Sequence, residues 1–112
     1  MKIAIIDYKA GNVRSLQFAL QKLDIQAMLT NNAEEILSAD KIIFPGVGEA
    51  GSAMANLHAT SLVNVIQSAK QPFLGICLGM QLLCAHSEEG DTKGLGMIPV
   101  QVKKFEATDH IR

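Results

Sequence analysis

The stretch Phe73-Leu74-Gly75-Ile76-Cys77-Leu78-Gly79-Met80-Gln81-Leu82-Leu83 decides the fold. Its apolar run 73–76 predicts a buried parallel strand, and 78–85 predicts the helix that follows. Between them stands Cys77 with a glycine two residues away on either side, the small-x-nucleophile-x-small pattern of a strand-to-helix elbow. The pattern has a steric cause. A side chain that projects from so tight a turn needs neighbours without Cβ atoms, and a helix N-terminus beside it favours a thiolate. The Leu78 backbone N–H is then expected to be free to donate to an oxyanion. A buried structural cysteine is the alternative, since that is a common fate of the residue. A core thiol, however, has no need of glycine at both flanking positions.

Working outward, the run 2–7 predicts a first buried strand ending in an acid, Asp7. Gly11-Asn12 opens a helical segment in which Val13, Leu16, Leu20 and Leu23, with Phe18 and Ala19, recur at helical spacing. Residues 25–29 read as a second strand. Residues 33–38 read as a short helix with Glu34 and Glu35 in its first turn, where the dipole favours acids. A third strand over 41–44 is stopped by Pro45-Gly46. Helices are expected over 51–58 and 62–70, with a break at Ala59-Thr60-Ser61, and one or two antiparallel strands over 97–105. Strands alternating with helices call for a mostly parallel sheet covered on both faces, an α/β layered fold in which ligands sit at the carboxyl ends of the strands. Asp7, the Pro45-Gly46-Val47-Gly48 loop and Cys77 all fall on that rim. No repeat, low-complexity tract or linker divides the 112 residues, so 1–112 is read as one domain.

Composition narrows the function classes. Apolar residues make up 48% of the chain, enough for a core, and mean hydropathy is +0.19. Ten Lys plus Arg against eleven Asp plus Glu leave a net charge of −1, which gives no electrostatic ground for nucleic acid or an anionic membrane as partner. The apolar N-terminal run is too short for a signal segment or a membrane span. The two cysteines, Cys77 and Cys84, would lie ~10 Å apart on one helix at its rise per residue, too far to bridge. Unpaired thiols fit a reducing, cytoplasmic setting, with Cys84 packed in the core.

A cysteine hydrolase needs a base, usually histidine. His58 lies late in a helix, and His86 would stand ~13 Å along its helix from the elbow, beyond hydrogen-bond reach. His110 is close to the end of the chain. All three read as surface residues, and none has metal-ligand spacing with other side chains, so no metal is expected. The Gly46-Val47-Gly48-Glu49-Ala50-Gly51 run fits a G-x-G-x-x-G pattern. It follows the third strand, however, and no acid occurs between Glu49 and Glu88 to hold a ribose, which argues against a dinucleotide and leaves no cofactor. A flexible Gly-Val-Gly backbone that turns an N–H toward the cysteine's substrate is the better use of it, and a plain tight turn is the alternative.

The run Gly75-Ile76-Cys77-Leu78-Gly79-Met80-Gln81 resembles the nucleophile motif of the class I, triad-type glutamine amidotransferases. Asp7-Tyr8 with Gly11-Asn12, the Pro45-Gly46-Val47-Gly48 loop, Ser87-Glu88-Glu89-Gly90 and Lys93-Gly94-Leu95-Gly96 narrow the likeness to the glutaminase subunits of imidazole glycerol phosphate synthase. The resemblance implies a flavodoxin-like fold, here the N-terminal part of a longer domain, and a role in histidine biosynthesis. It implies Cys77 as the nucleophile forming a glutamyl thioester, with Val47 and Leu78 as oxyanion-hole donors, Val47 lying in a loop that reorients on activation. It implies Gly46, Gly48, Gln81 and Glu89 at the glutamine site. Tyr8, Gly11 and Asn12 would lie near the interface with a cyclase subunit, a β/α barrel that receives the ammonia in a heterodimer. The family's catalytic histidine and glutamate have no counterpart in these residues, so this chain alone is expected to be inactive. A different cysteine hydrolase on a similar fold, and a non-catalytic docking domain, are the alternatives from other classes.

Overall fold

The computed structural model describes residues 1–9 and 13–104. Four parallel strands form the main sheet: β1 (Ile3–Ile6), β2 (Ala27–Thr30), β3 (Lys41–Phe44) and β4 (Phe73–Gly75), in the order β2-β1-β3-β4. This is the opening of the flavodoxin-like order 2-1-3-4-5. All four residues of β1 are buried, as its continuous apolar run requires of a central strand.

The two faces of the sheet are covered unequally. Ile6, Ile42 and Phe44 point to one face and pack with Ile36 of α2 (Ala33–Ser38), Met54 and Leu57 of α3 (Ala50–Ala59), Ile66 of α4 (Leu62–Ser68) and Leu82 of α5 (Leu78–Leu82). Ile3, Ile5 and Ile43 point to the other, where Leu16 and Leu20 of α1 (Arg14–Lys22) provide cover, along with Val13 and Ile25. No residue of α1 is fully buried, and Phe18 and Leu23 from its apolar series stay exposed. Gly11 and Asn12, expected to open that helix, lie outside the described residues.

Local chemistry accounts for the boundaries. Asn32 caps α2 by accepting from the Glu35 N–H at 3.0 Å. The break between α3 and α4 falls where Ser61 takes a left-handed conformation, φ 59°.

The helix expected over 78–85 is the main correction. It ends at Leu82, and Cys84–Ser87 forms a strand, β5. The carbonyls of Leu82, Leu83 and Cys84 accept from Leu95, Ile98 and Gly96 at 2.8–3.1 Å, so later backbone takes the place of further helical turns. With β6 (Thr92–Lys93) and β7 (Ile98–Val102), β5 makes a second sheet ordered β6-β5-β7. Here too the expectation is revised: β7 runs parallel to β5, and the antiparallel partner is β6. Cys84 and His86 therefore sit on a strand, and helical spacing no longer measures their separation from Cys77. Both thiols are nonetheless free, with Cys84 buried as expected and Cys77 exposed. No described helix is long and apolar enough to cross a membrane.

Strand β4 is an edge of the main sheet, and Leu74, in register with Ile43, is 56% exposed on the thinly covered face. An unpaired edge carrying an apolar side chain is a template for self-pairing. The chain should therefore self-associate at high concentration, and Leu74→Lys should shift it toward monomer in sedimentation velocity. A parent chain that stays monomeric would contradict this.

Candidate active site

Strand β4 and the residue after it set Cys77, the expected nucleophile. Ile76 N–H continues the ladder by donating to the Phe44 carbonyl at 3.0 Å. The chain then reverses at Cys77, whose φ of 54° and ψ of −121° lie outside the ordinary regions for a residue with a side chain. Such a conformation costs roughly 1–3 kcal/mol and persists only where its surroundings over-determine it. They do so here. A Cβ on Gly79 would overlap the Phe44 carbonyl, and one on Gly75 would stand 2.7 Å from the Met80 Cα. The two glycines let α5 press onto the ends of β3 and β4, and the turn that results leaves Cys77 exposed.

The same close packing brings the loop after β3 against the elbow. The Leu78 N–H, expected to be free, donates to the Gly46 carbonyl at 3.1 Å. Val47 is 57% exposed beside it, and Gly48, with φ of 103°, takes a conformation suited to glycine. The side chain of Tyr8, a residue expected near a partner surface, is buried in this chain. Its ring packs on Phe44 with centroids 5.0 Å apart, and its hydroxyl donates to the Pro45 carbonyl at 2.6 Å. Gly11 and Asn12 lie outside the described residues.

Two carboxylates meet at the start of α3. Glu49 caps it, accepting from the Gly51 N–H at 2.9 Å, the Ser52 N–H at 3.2 Å and the Ser52 hydroxyl at 2.7 Å. The Ser52 hydroxyl, then the backbone N–H groups of Ser52 and Gly51, hold its carboxyl below the usual glutamate range. Glu89, expected at a substrate site, accepts from the Ala50 N–H at 2.7 Å and so ties the end of the glycine loop to the turn after β5. Gln81 and Glu89 share a groove of about 410 Å³ with Ser87, Glu88, Lys103 and Lys104. A hollow of about 480 Å³ between α1 and β2 is lined by none of the expected site residues.

A base is what the described residues do not bring to the expected nucleophile: none of them hydrogen-bonds to Sγ of Cys77. His58 is exposed on α3, as expected. His86 is only partly exposed, and its Nε2 lies 2.6 Å from Oδ1 of Asp91. His110 lies outside the described residues. Sequence reasoning also missed the Tyr8–Pro45, Leu78–Gly46 and Glu89–Ala50 bonds. Only the position of Tyr8, two residues past a strand on the ligand-bearing rim, hinted at the first.

Two substitutions test this architecture. Gly79→Ala should lower stability to urea by about 2 kcal/mol or more, the range of strain in a packed interior, because the group in the way is backbone. An unchanged midpoint would mean α5 is not held against β3. The lowered carboxyl of Glu49 means that its stabilisation is present at neutral pH and is lost as the pH falls through its folded-state value. Glu49→Gln should therefore melt below the parent at neutral pH and converge with it in acid. A gap that persists in acid would show that the carboxylate is not the cap.

Comparison with known proteins gives the family and the fold. Residues 4–110 match the family "Glutamine amidotransferase class-I". The chain is 51% identical over 110 residues to the imidazole glycerol phosphate synthase subunit HisH of Bacteroides thetaiotaomicron, covering 98% of this chain and 56% of that protein. It is 50% identical over 111 residues to the protein of the same name from Methanocaldococcus jannaschii, covering 97% and 56%. It thus spans little more than half the length of these relatives. A solved glutamine amidotransferase structure superposes with a TM-score of 0.74 over 89% of this chain and 55% of that one; at 19% identity this is a likeness of fold. The chain belongs to the class I glutamine amidotransferases.

Proposed function

We propose that this chain carries the nucleophile-bearing part of a glutaminase subunit that supplies ammonia to a cyclase subunit in histidine biosynthesis. The observation that carries this reading is the strained Cys77 elbow with the Gly46–Val47 peptide laid against it. Cys77 Sγ attacks the side-chain amide carbon of glutamine, the C–N bond breaks, and ammonia leaves. Water then cleaves the thioester to give glutamate. Gly48, Gln81 and Glu89 would hold the amino-acid part of the substrate, with Gly46 beside them, in keeping with the groove that Gln81 and Glu89 share.

The oxyanion of each tetrahedral intermediate needs two donors, Leu78 N–H and Val47 N–H. In the present arrangement the Gly46 carbonyl occupies the first. A trans peptide carries its C=O and N–H on opposite sides. Rotation of the single Gly46–Val47 peptide would therefore lift the carbonyl off Leu78 and turn the Val47 N–H toward the same space. The closed form is the resting one, and a partner or substrate that favours the rotated form would switch the site on. Two unpaired thiols and a relationship to biosynthetic subunits support a cytoplasmic setting.

Proton transfer by a positioned base contributes ~10²–10⁴-fold to such steps, and no described residue offers one to Cys77. The chain alone should release no ammonia from glutamine above the level of its Cys77→Ser variant. Addition of a polypeptide corresponding to the remaining portion of the Bacteroides thetaiotaomicron relative, with a cyclase subunit, should restore release that depends on Cys77. Cys77-dependent turnover by the isolated chain would refute the assignment of the base to other residues. A reconstituted complex in which Cys77→Ser is fully active would refute the assignment of the nucleophile.

A further inference from the structure

The glycine loop is fastened on both sides of the peptide that has to turn. After it, the Ala50 N–H is held by Glu89. Before it, the Pro45 carbonyl is held by the hydroxyl of Tyr8 at 2.6 Å. Tyr8 is 2% exposed, and its ring rests on Phe44, the last residue of β3, so the phenol is fixed by the core rather than by the loop it touches. The hydroxyl also stands directly behind Gly46. A Cβ built there would overlap it, and on other sides would meet the Gly79 N at 2.9 Å and the Leu78 Cβ at 3.1 Å. Gly46 is thus wedged between the phenol and the elbow.

We infer that Tyr8 is a positioning residue that holds the Pro45–Gly46 peptide still, so that the oxyanion loop can change state only by turning the Gly46–Val47 peptide. This rests on the proposed role of that loop and extends it to a side chain outside the loop. With the Pro45 carbonyl anchored, the Gly46 N–H that shares its peptide plane is anchored too. Rotation is left to ψ of Gly46 and φ of Val47, whose flanking residue Gly48 has open space around it. The anchor biases the resting position as well, because it sets Gly46 where its carbonyl accepts from Leu78. Burial of the phenol raises its pKa well above the ordinary tyrosine value, so the hydroxyl remains a donor across the physiological range.

Tyr8→Phe keeps the ring on Phe44 and removes only the donor. The test is amide hydrogen exchange by NMR on the intact chain, following the Leu78 N–H against the Ile5 N–H in the buried centre of the sheet. In the parent, Leu78 should be protected. In Tyr8→Phe its exchange should quicken roughly threefold to tenfold, the range for loss of one net hydrogen bond, with Ile5 changed far less. Equal acceleration of both amides would mean general loosening and would overturn the inference, as would no change at Leu78. An unprotected Leu78 in the parent would instead remove the closed loop on which the proposed switching rests. Tyr8 is the single tyrosine in a chain without tryptophan, so its absorbance titration gives a second measurement on the unaltered protein. Ionisation near the ordinary tyrosine value of about 10 while the chain remains folded would show that the phenol is not held in this buried contact, and would overturn the inference by itself.

Discussion

The first turn of α5 lies so close on the end of β3 that a single methyl group at Gly79 would overlap the Phe44 carbonyl. Phe44 is fully buried and packed in the larger core, so the strand end cannot retreat, and the approach has to be made by a residue without a side chain. Several consequences follow from this one contact. It forces the chain to reverse within a single residue, which places Cys77 in its strained conformation and leaves its thiol in solvent. It also carries the Leu78 N–H to the Gly46 carbonyl, so that one backbone hydrogen bond joins the Cys77 elbow to the loop expected to stabilise an oxyanion there.

Parallel pairing supplies the other half of this arrangement. Phe44 is in register with Gly75, so whatever follows β3 must leave the sheet beside whatever follows β4. The Pro45–Glu49 loop and the Cys77 elbow are far apart in sequence yet adjacent by topology. This is the general reason why sites gather at the carboxyl edge of parallel sheets. Here the loop is kept from wandering by contacts that come from neither segment: Tyr8 from the end of β1, and Glu89 from the turn after β5.

Much of this was legible in the sequence where one physical signal dominated. The four parallel strands are apolar runs ended by glycine, proline, an acid or, for β2, asparagine, and the elbow announces itself through glycines that only a close approach explains. The stretch Leu82-Leu83-Cys84-Ala85 was misread because an unbroken apolar run has no periodicity to separate buried helix from buried strand. What decided it was pairing with β6 and β7, whose own residues are short and partly polar and carry little strand signal. The bonds that hold the site escaped for a different reason. Leu78 to Gly46 is backbone to backbone, and Glu89 to Ala50 and Tyr8 to Pro45 are side chain to backbone. In each case at least one partner is a peptide group that every residue type carries.

The division between what is local and what is distant also explains why the Cys77 turn can be fully shaped without a base beside it. The conformation of Cys77 depends on contacts among β3, β4, α5 and the glycine loop, all formed within residues 41–82. Phe44, Leu78 and Leu82 among them are buried in the core, on the face where α2, α3, α4 and α5 pack. On the proposed reading a base would reach the exposed thiol from the solvent side, and because these contacts lie behind the elbow its approach would leave them in place.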